Sequence, residues 1–223
     1  MVLIWTHLKI FYKKGVYMGL ISSTHAISRY YIDGEFPDGV TEGVRRGLIE
    51  NAIPEIENEY DEISAGWTPL ETPYNPDFES ASFLFGTYFA FSLRIDKKSI
   101  PAKLVQKQMA IETEKKKKET GRAFISKNEK AEIKERIIDI LMHKTPFLPN
   151  IYDILWDYED KSLLLFSTQK AANELFETLF FKSFDHKPIR IFPYTIVETQ
   201  GRFSSNEKDR VLALAPLNMK GAQ

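Results

Sequence analysis

Asp153, Asp157, Glu159 and Lys161 fall within nine residues and are the residue types that a magnesium-dependent nuclease uses. In such a site two or three carboxylates hold the cation at the scissile phosphate, and a lysine steadies the attacking water or the developing charge. Glu159-x-Lys161 is the closest match to an acidic-x-lysine pair. A plainer explanation competes: Asp153 and Asp157 share one face of an expected strand, whereas Glu159 to Lys161 fall in an expected turn, and turns collect charged residues for solvation alone. The plainer explanation is preferred, so nuclease chemistry is the alternative. His7, His25, His143 and His186 stand far apart with no His-x3-His spacing, and there is no cysteine. Neither a histidine metal centre nor a thiol nucleophile is supported. No Gly-rich phosphate loop, Gly-x-Ser-x-Gly elbow or His-Glu-x-x-His helix occurs, and no cofactor or metal is expected.

The stronger signal is electrostatic. Lys103, Lys107, Lys115, Lys116, Lys117, Lys118, Arg122, Lys127, Lys130, Lys134 and Arg136 make eleven cations in one stretch, against six glutamates. That stretch carries +5 in a chain of net charge −1, so the remainder carries −6. Positive charge concentrated in one element of a near-neutral protein suits a polyanionic partner. Lysine-rich helices are often only solvated surface, and Glu112, Glu114 and Glu119 can pair with neighbouring lysines. Those glutamates cannot neutralise all the cations, however, and each phosphate contact would release counterions without reading a base. Phe124 is the only aromatic in the tip, which argues against a stacking platform for single strands. A backbone-directed, sequence-indifferent mode of binding fits better.

The elements that position these residues follow from periodicity. With 43% apolar residues in 223 the chain can build a proper core, and no apolar run approaches the roughly 18 residues of a membrane span. The cytoplasm is the expected compartment. Residues 1–17 mix aromatics with Lys9, Lys13 and Lys14 and lack a signal-peptide pattern. Met18 is the expected natural start, with residues 1–17 a non-native or disordered extension. Ser22 to Phe36 predicts a strand, and Thr41 the cap of a helix that Pro54 stops. Glu55 to Glu62 is acidic and reads as a solvated loop or strand edge, and Gly66 to Asp77 as a loop. Ser80 to Ile95 predicts a central strand bulged at Gly86.

Pro101 opens the first helix of the basic hairpin, Thr120-Gly121 breaks it, and Ser126-Lys127-Asn128-Glu129 has a capping-box pattern opening the second. Ala131, Ile133, Ile137, Ile138, Ile140 and Leu141 give that second helix an apolar stripe toward its C-terminus. Tyr152 to Tyr158 and Leu163 to Phe166 predict a β-hairpin, Thr168 caps a helix over Gln169 to Phe184, and Pro188 to Val197 is the last strand. Beyond Gln200 a polar stretch leads to apolar residues around Val211 to Leu217. The expected architecture is α+β, with two packed sheet-and-helix lobes and a projecting basic helical hairpin. The parts are an N-terminal lobe over 18–100, the hairpin over 101–145, a ββαβ lobe over 146–200 and a tail over 201–223.

Several stretches in order resemble the RdgC family of recombination-associated DNA-binding proteins. They are Gly66-Trp67-Thr68-Pro69, the strand leading to Arg94-Ile95-Asp96-Lys97-Lys98-Ser99-Ile100-Pro101, the Lys/Glu-rich hairpin, Pro146-Phe147, Ile154-Leu155-Trp156-Asp157, and Ser167-Thr168-Gln169-Lys170-Ala171-Ala172. The similarity spans roughly Ser22 to Pro193. The resemblance implies a non-enzymatic, nucleoid-associated protein that binds double-stranded DNA with little sequence preference. It further implies a ring-like homodimer around the duplex, antagonism of recombinase-driven strand exchange, a hairpin facing DNA or forming a ring wall, and a subunit contact at Phe147. Larger members of the family continue beyond the last matched strand, so an open dimer, another pairing or a monomer are the expected variants here. A magnesium-dependent exonuclease and a protein-interaction module without a nucleic-acid role are the alternatives.

Overall fold

The computed structural model describes residues 20, 26–55, 62–192, 195–197 and 204–213. In chain order these form β1 (Ser28–Ile32), α1 (Val40–Glu50), β2 (Ile63–Pro69), β3 (Leu84–Phe85), β4 (Tyr88–Lys98), α2 (Ala102–Thr120), α3 (Lys127–Lys144), β5 (Phe147–Asp157), β6 (Ser162–Leu165), α4 (Lys170–Phe184), β7 (Pro188–Arg190) and α5 (Ser205–Leu212). Every strand pair is antiparallel, in the order β2-β4-β5-β6-β1-β7, with β3 also on β4. The class is α+β, as expected. The strands assigned to two lobes share this one sheet, because β4 and β5 pair over eleven residues and β1 lies between β6 and β7.

The sheet follows from period-2 alternation. Phe89, Phe91, Leu93 and Ile95 of β4 point to one face, where they join Ile154 and Trp156 of β5 and Leu163 and Leu165 of β6. Val44 and Leu48 of α1 and Ala172, Phe176, Phe180 and Phe184 of α4 cover that face. Each fully buried aliphatic or phenylalanine side chain contributes roughly 1.5–3 kcal/mol, so this layer dominates stability. Two polar contacts fix α4 on it: Trp67 Nε1 donates to Ser183 Oγ at 2.7 Å, and Tyr30 Oη stands 2.7 Å from Asn173 Oδ1 and 2.9 Å from Glu177 Oε1. Burial first, and the Glu177 carboxylate second, push the Tyr30 hydroxyl pKa far upward. The opposite face carries a smaller apolar cluster of Leu20, Leu70 and Ala90.

Several local expectations change. Gly66 to Pro69 belongs to β2 and not to a loop: Trp67 and Thr68 are fully buried, and the strand pairs with β4 from Ile63↔Lys97 to Pro69↔Phe91. Gly66 is needed there because the Ile53 backbone occupies the place of a side chain. The expected bulge at Gly86 is a two-residue hairpin loop, Gly86-Thr87, with Gly86 at φ 66°. Helix α1 is capped by Gly39 in place of Thr41, and α4 by Gln169 in place of Thr168. The last strand stops at Arg190, where the Thr195 hydroxyl donates to Arg190 O and accepts from Phe192 N–H, turning the chain. Within the tail, Ser204 and Glu207 form a capping box that opens α5. Residues 1–17, and 56–61 of the acidic run, lie outside the described residues.

Candidate nucleic-acid interface

The basic hairpin is an insertion in the connection between adjacent strands. β4 ends where Lys98 faces Phe147, the first residue of β5, and α2 and α3 fill the interval. Pro101, extended at the N-cap, admits α2, whose 19 residues reach roughly 28 Å at 1.5 Å per residue. Gly121, left-handed at φ 65°, ends α2. Ser126 then opens α3 with the expected capping box: Glu129 N–H donates to Ser126 Oγ at 3.2 Å, and Ser126 N–H donates to Glu129 Oε2 at 2.9 Å. The seam between the helices is thin. No residue of α2 is buried, and α3 buries only Ile133 and Ile137 of its expected stripe, leaving Ile140 45% exposed.

Four of the eleven cations have carboxylate partners. Arg136 bridges to Glu112 at 3.2 Å, Lys117 to Glu114 at 3.0 Å, and Lys116 and Arg122 both approach Glu129 Oε1 at 3.5 Å. Glu129 therefore joins α2, the tip loop and the α3 cap. Its carboxyl pKa is held down to about 2, chiefly by the Ser126 backbone N–H, then the Ser126 hydroxyl and Lys116. The other seven, Lys103, Lys107, Lys115, Lys118, Lys127, Lys130 and Lys134, are exposed and form no ion pair among the described residues.

Helical periodicity sorts these seven. Lys103, Lys107 and Lys118 fall within about 60° around the α2 axis, and Lys127, Lys130 and Lys134, at i, i+3 and i+7, within a similar arc on α3. A groove between the helices is lined by Lys115, Lys116 and Arg136, but equally by Glu112, Glu119 and Glu132, so it is close to charge-balanced. The basic side chains thus do not converge on one concave wall. On α2 the three lysines lie away from this groove, whereas on α3 Lys130 and Lys134 lie beside the position of buried Ile137, so the positive excess sits on exposed side chains outside the groove, an arrangement suited to lying against a charged backbone.

The other expected sites are dispersed. Asp153 accepts from Ser92 Oγ at 2.9 Å and from Leu20 N–H at 2.8 Å, while Asp157 Oδ1 accepts Asp160 N–H at 3.0 Å inside the turn. Lys161 Nζ is engaged by Asp33 at 2.6 Å, across to β1, and Glu159 is exposed. Four residues of strand separate the backbones of Asp153 and Asp157 by roughly 13 Å, too far for these two to share one cation. Among the described residues no three His, Asp or Glu side chains are grouped to hold a metal ion.

His143 lies 3.6 Å from Asp139, and His186 is buried with its ring stacked on Phe36 at 4.5 Å. His7 and His25 lie outside the described residues. Phe147, the expected subunit contact, is half-buried, with Lys98 Nζ 4.7 Å from its ring centroid. The burial of Lys98 has no sequence signal: a charged residue at a strand end gives no sign that a phenylalanine 49 positions later will receive it. The bridging role of Glu129 is similar, because the capping pattern is local whereas Lys116 arrives only with the hairpin.

Among the described residues no helix is long and apolar enough to cross a membrane. No curated protein matches the sequence. A family model described as "Putative exonuclease, RdgC" matches residues 42–200, more than two-thirds of the chain, from within α1 through β7 and including the whole hairpin. By that match the chain belongs to the RdgC family.

Proposed function

We propose that this protein binds double-stranded DNA with little sequence preference through the exposed lysines of its basic hairpin. As a nucleoid-associated homodimer in the cytoplasm, it restrains recombinase-driven strand exchange. The observation that supports the reading is the set of seven exposed lysines on α2 and α3 that form no ion pair among the described residues, within a chain whose net charge is −1. Lysines without carboxylate partners exchange counterions for phosphates at no cost in broken ion pairs, and they carry no base-reading geometry. Family membership supports the recombination context.

A salt titration of binding to a random-sequence duplex, with and without Mg²⁺, tests this. Binding that weakens linearly in log affinity against log salt, with the DNA intact, is expected. Absence of binding at low salt sinks the reading, and Mg²⁺-dependent shortening of the DNA establishes the exonuclease of the family description in its place. Replacing Lys115, Lys116, Lys117 and Lys118 together by Gln weakens affinity and flattens the slope. Because Lys116 and Lys117 already pair with Glu129 and Glu114, a second set, Lys118, Lys127, Lys130 and Lys134 to Gln, has the larger effect. An unchanged slope in both sets places the DNA surface elsewhere.

A further inference from the structure

Phe124 stands at the apex of the hairpin and is 85% exposed, the most exposed of the large apolar residues among those described. An apolar ring of this size left in water is an unusual feature at the end of an element that is otherwise nearly all charge. Its exposure is built in. Ile125, the next residue, is buried and turns inward, and Ser126 immediately caps α3, so Phe124 is held on the outer side of the loop. Gly121 fixes the entry to the same loop with its left-handed backbone, and Arg122 is tied to Glu129. The apex is therefore braced at both ends around one outward ring. Lys118, Arg122 and Lys127 surround it in sequence.

We infer that Phe124 is a wedge that inserts between base pairs of the duplex, partly unstacking one step and bending the DNA around the hairpin. The inference rests on the proposed DNA-binding reading and adds to it a mode of engagement. Apolar side chains carried on a basic element use unstacking to bring more phosphate surface within reach of cations. The chemistry of the apex selects this partner over a second copy of the same tip. Two tips meeting through Phe124 would bring like charges together, whereas a polyanion neutralises them. A wedge also gives a weak preference without any base contact, because pyrimidine–purine steps such as TA unstack more easily than A-tracts.

The test uses the full-length protein and two 30-base-pair duplexes end-labelled for energy transfer, one with a central TA step and one with a central A-tract. Wild type, Phe124→Ala and Phe124→Trp are compared for affinity, DNA bend, permanganate reactivity of the central thymine, and mass in solution. Since Phe124 is not part of the core, the alanine variant keeps the wild-type melting temperature. Expected for Phe124→Ala are loss of the bend and of permanganate reactivity and roughly ten-fold weaker binding to the TA duplex, with a shallower salt slope because the phosphates gained by the bend are lost, and with mass unchanged. Phe124→Trp restores all three. An alanine variant that bends and exposes DNA like wild type overturns the inference while leaving the binding reading intact. A change of mass with unaltered DNA geometry overturns it in favour of a contact between copies. Failure of wild type to bind either duplex at low salt removes the binding reading and the wedge together.

Discussion

Glu129 shows how a single carboxylate can organise a surface whose other charges are loosely held. It accepts the N-cap N–H of Ser126 and reaches Lys116 on the opposite helix and Arg122 in the loop. Its folded pKa, about 2, lies below the roughly 4.3 of an unfolded chain. The stabilisation it gives is therefore complete above about pH 4.3 and is lost as pH falls toward 2. Amide chemical shifts of residues 122–130, followed from pH 6 to 2, should titrate in that window, and Glu129→Gln should abolish the titration. At neutral pH, Ser126→Ala should destabilise the tip by about 1 kcal/mol, the usual loss of an N-cap, measurable by amide exchange in α3. The capping box was legible at this scale because all its parts lie within four residues. The bridges from Lys116 and Arg122, and the Lys98–Phe147 contact, join residues remote in sequence and had no local signature.

At the scale of elements, a local pattern is informative only where no distant partner overrides it. α4 and the β5–β6 hairpin were legible because long periodic apolar runs are bounded by turn residues. The Gly and Pro of Gly66 to Pro69 predict a loop, but Trp67 lies in the core and draws the segment into β2, while Pro69 is tolerated at the strand's end. At Gly86 a long apolar run concealed a reversal, since apolar content does not distinguish one strand from two joined by a tight loop. The apolar stripe of α3 predicts more burial than the helix has: only Ile133 and Ile137 are buried, because among the described elements α2 is its main packing partner. The hairpin is thus an appendage of the sheet and not part of its core. Replacing residues 101–145 by a short Asn-Gly-containing turn between Lys98 and Phe147 should leave a folded protein with a cooperative thermal transition, while abolishing duplex binding. A chain that no longer folds would show that the hairpin supports the sheet.

At the scale of the whole molecule, the sheet welds the two halves of the sequence together. Phe180 is fully buried against Trp67, Trp156, Phe176 and Phe184, residues contributed by both expected lobes. Phe180→Ala should cost about 3–5 kcal/mol and lower a single calorimetric transition. Two transitions, with one unmoved, would mean that the lobes melt independently. The shared sheet has no local signature: each half has its own strand and helix order, and what unites them is non-local, the pairing of β4 with β5 across the hairpin and the placement of β1 between β6 and β7.

That sheet also gives the hairpin a mechanical character. Both helices leave from the same end of the β4–β5 ladder, at Lys98 and Phe147, so tension applied at the tip draws both strands the same way and does not pull them apart. A load along the strands passes to their outer pairings, β4 with β2 and β5 with β6, where many bonds share it in shear. The Lys98–Phe147 clasp, at the foot of the hairpin, is the first contact that a DNA dragging on the tip would load.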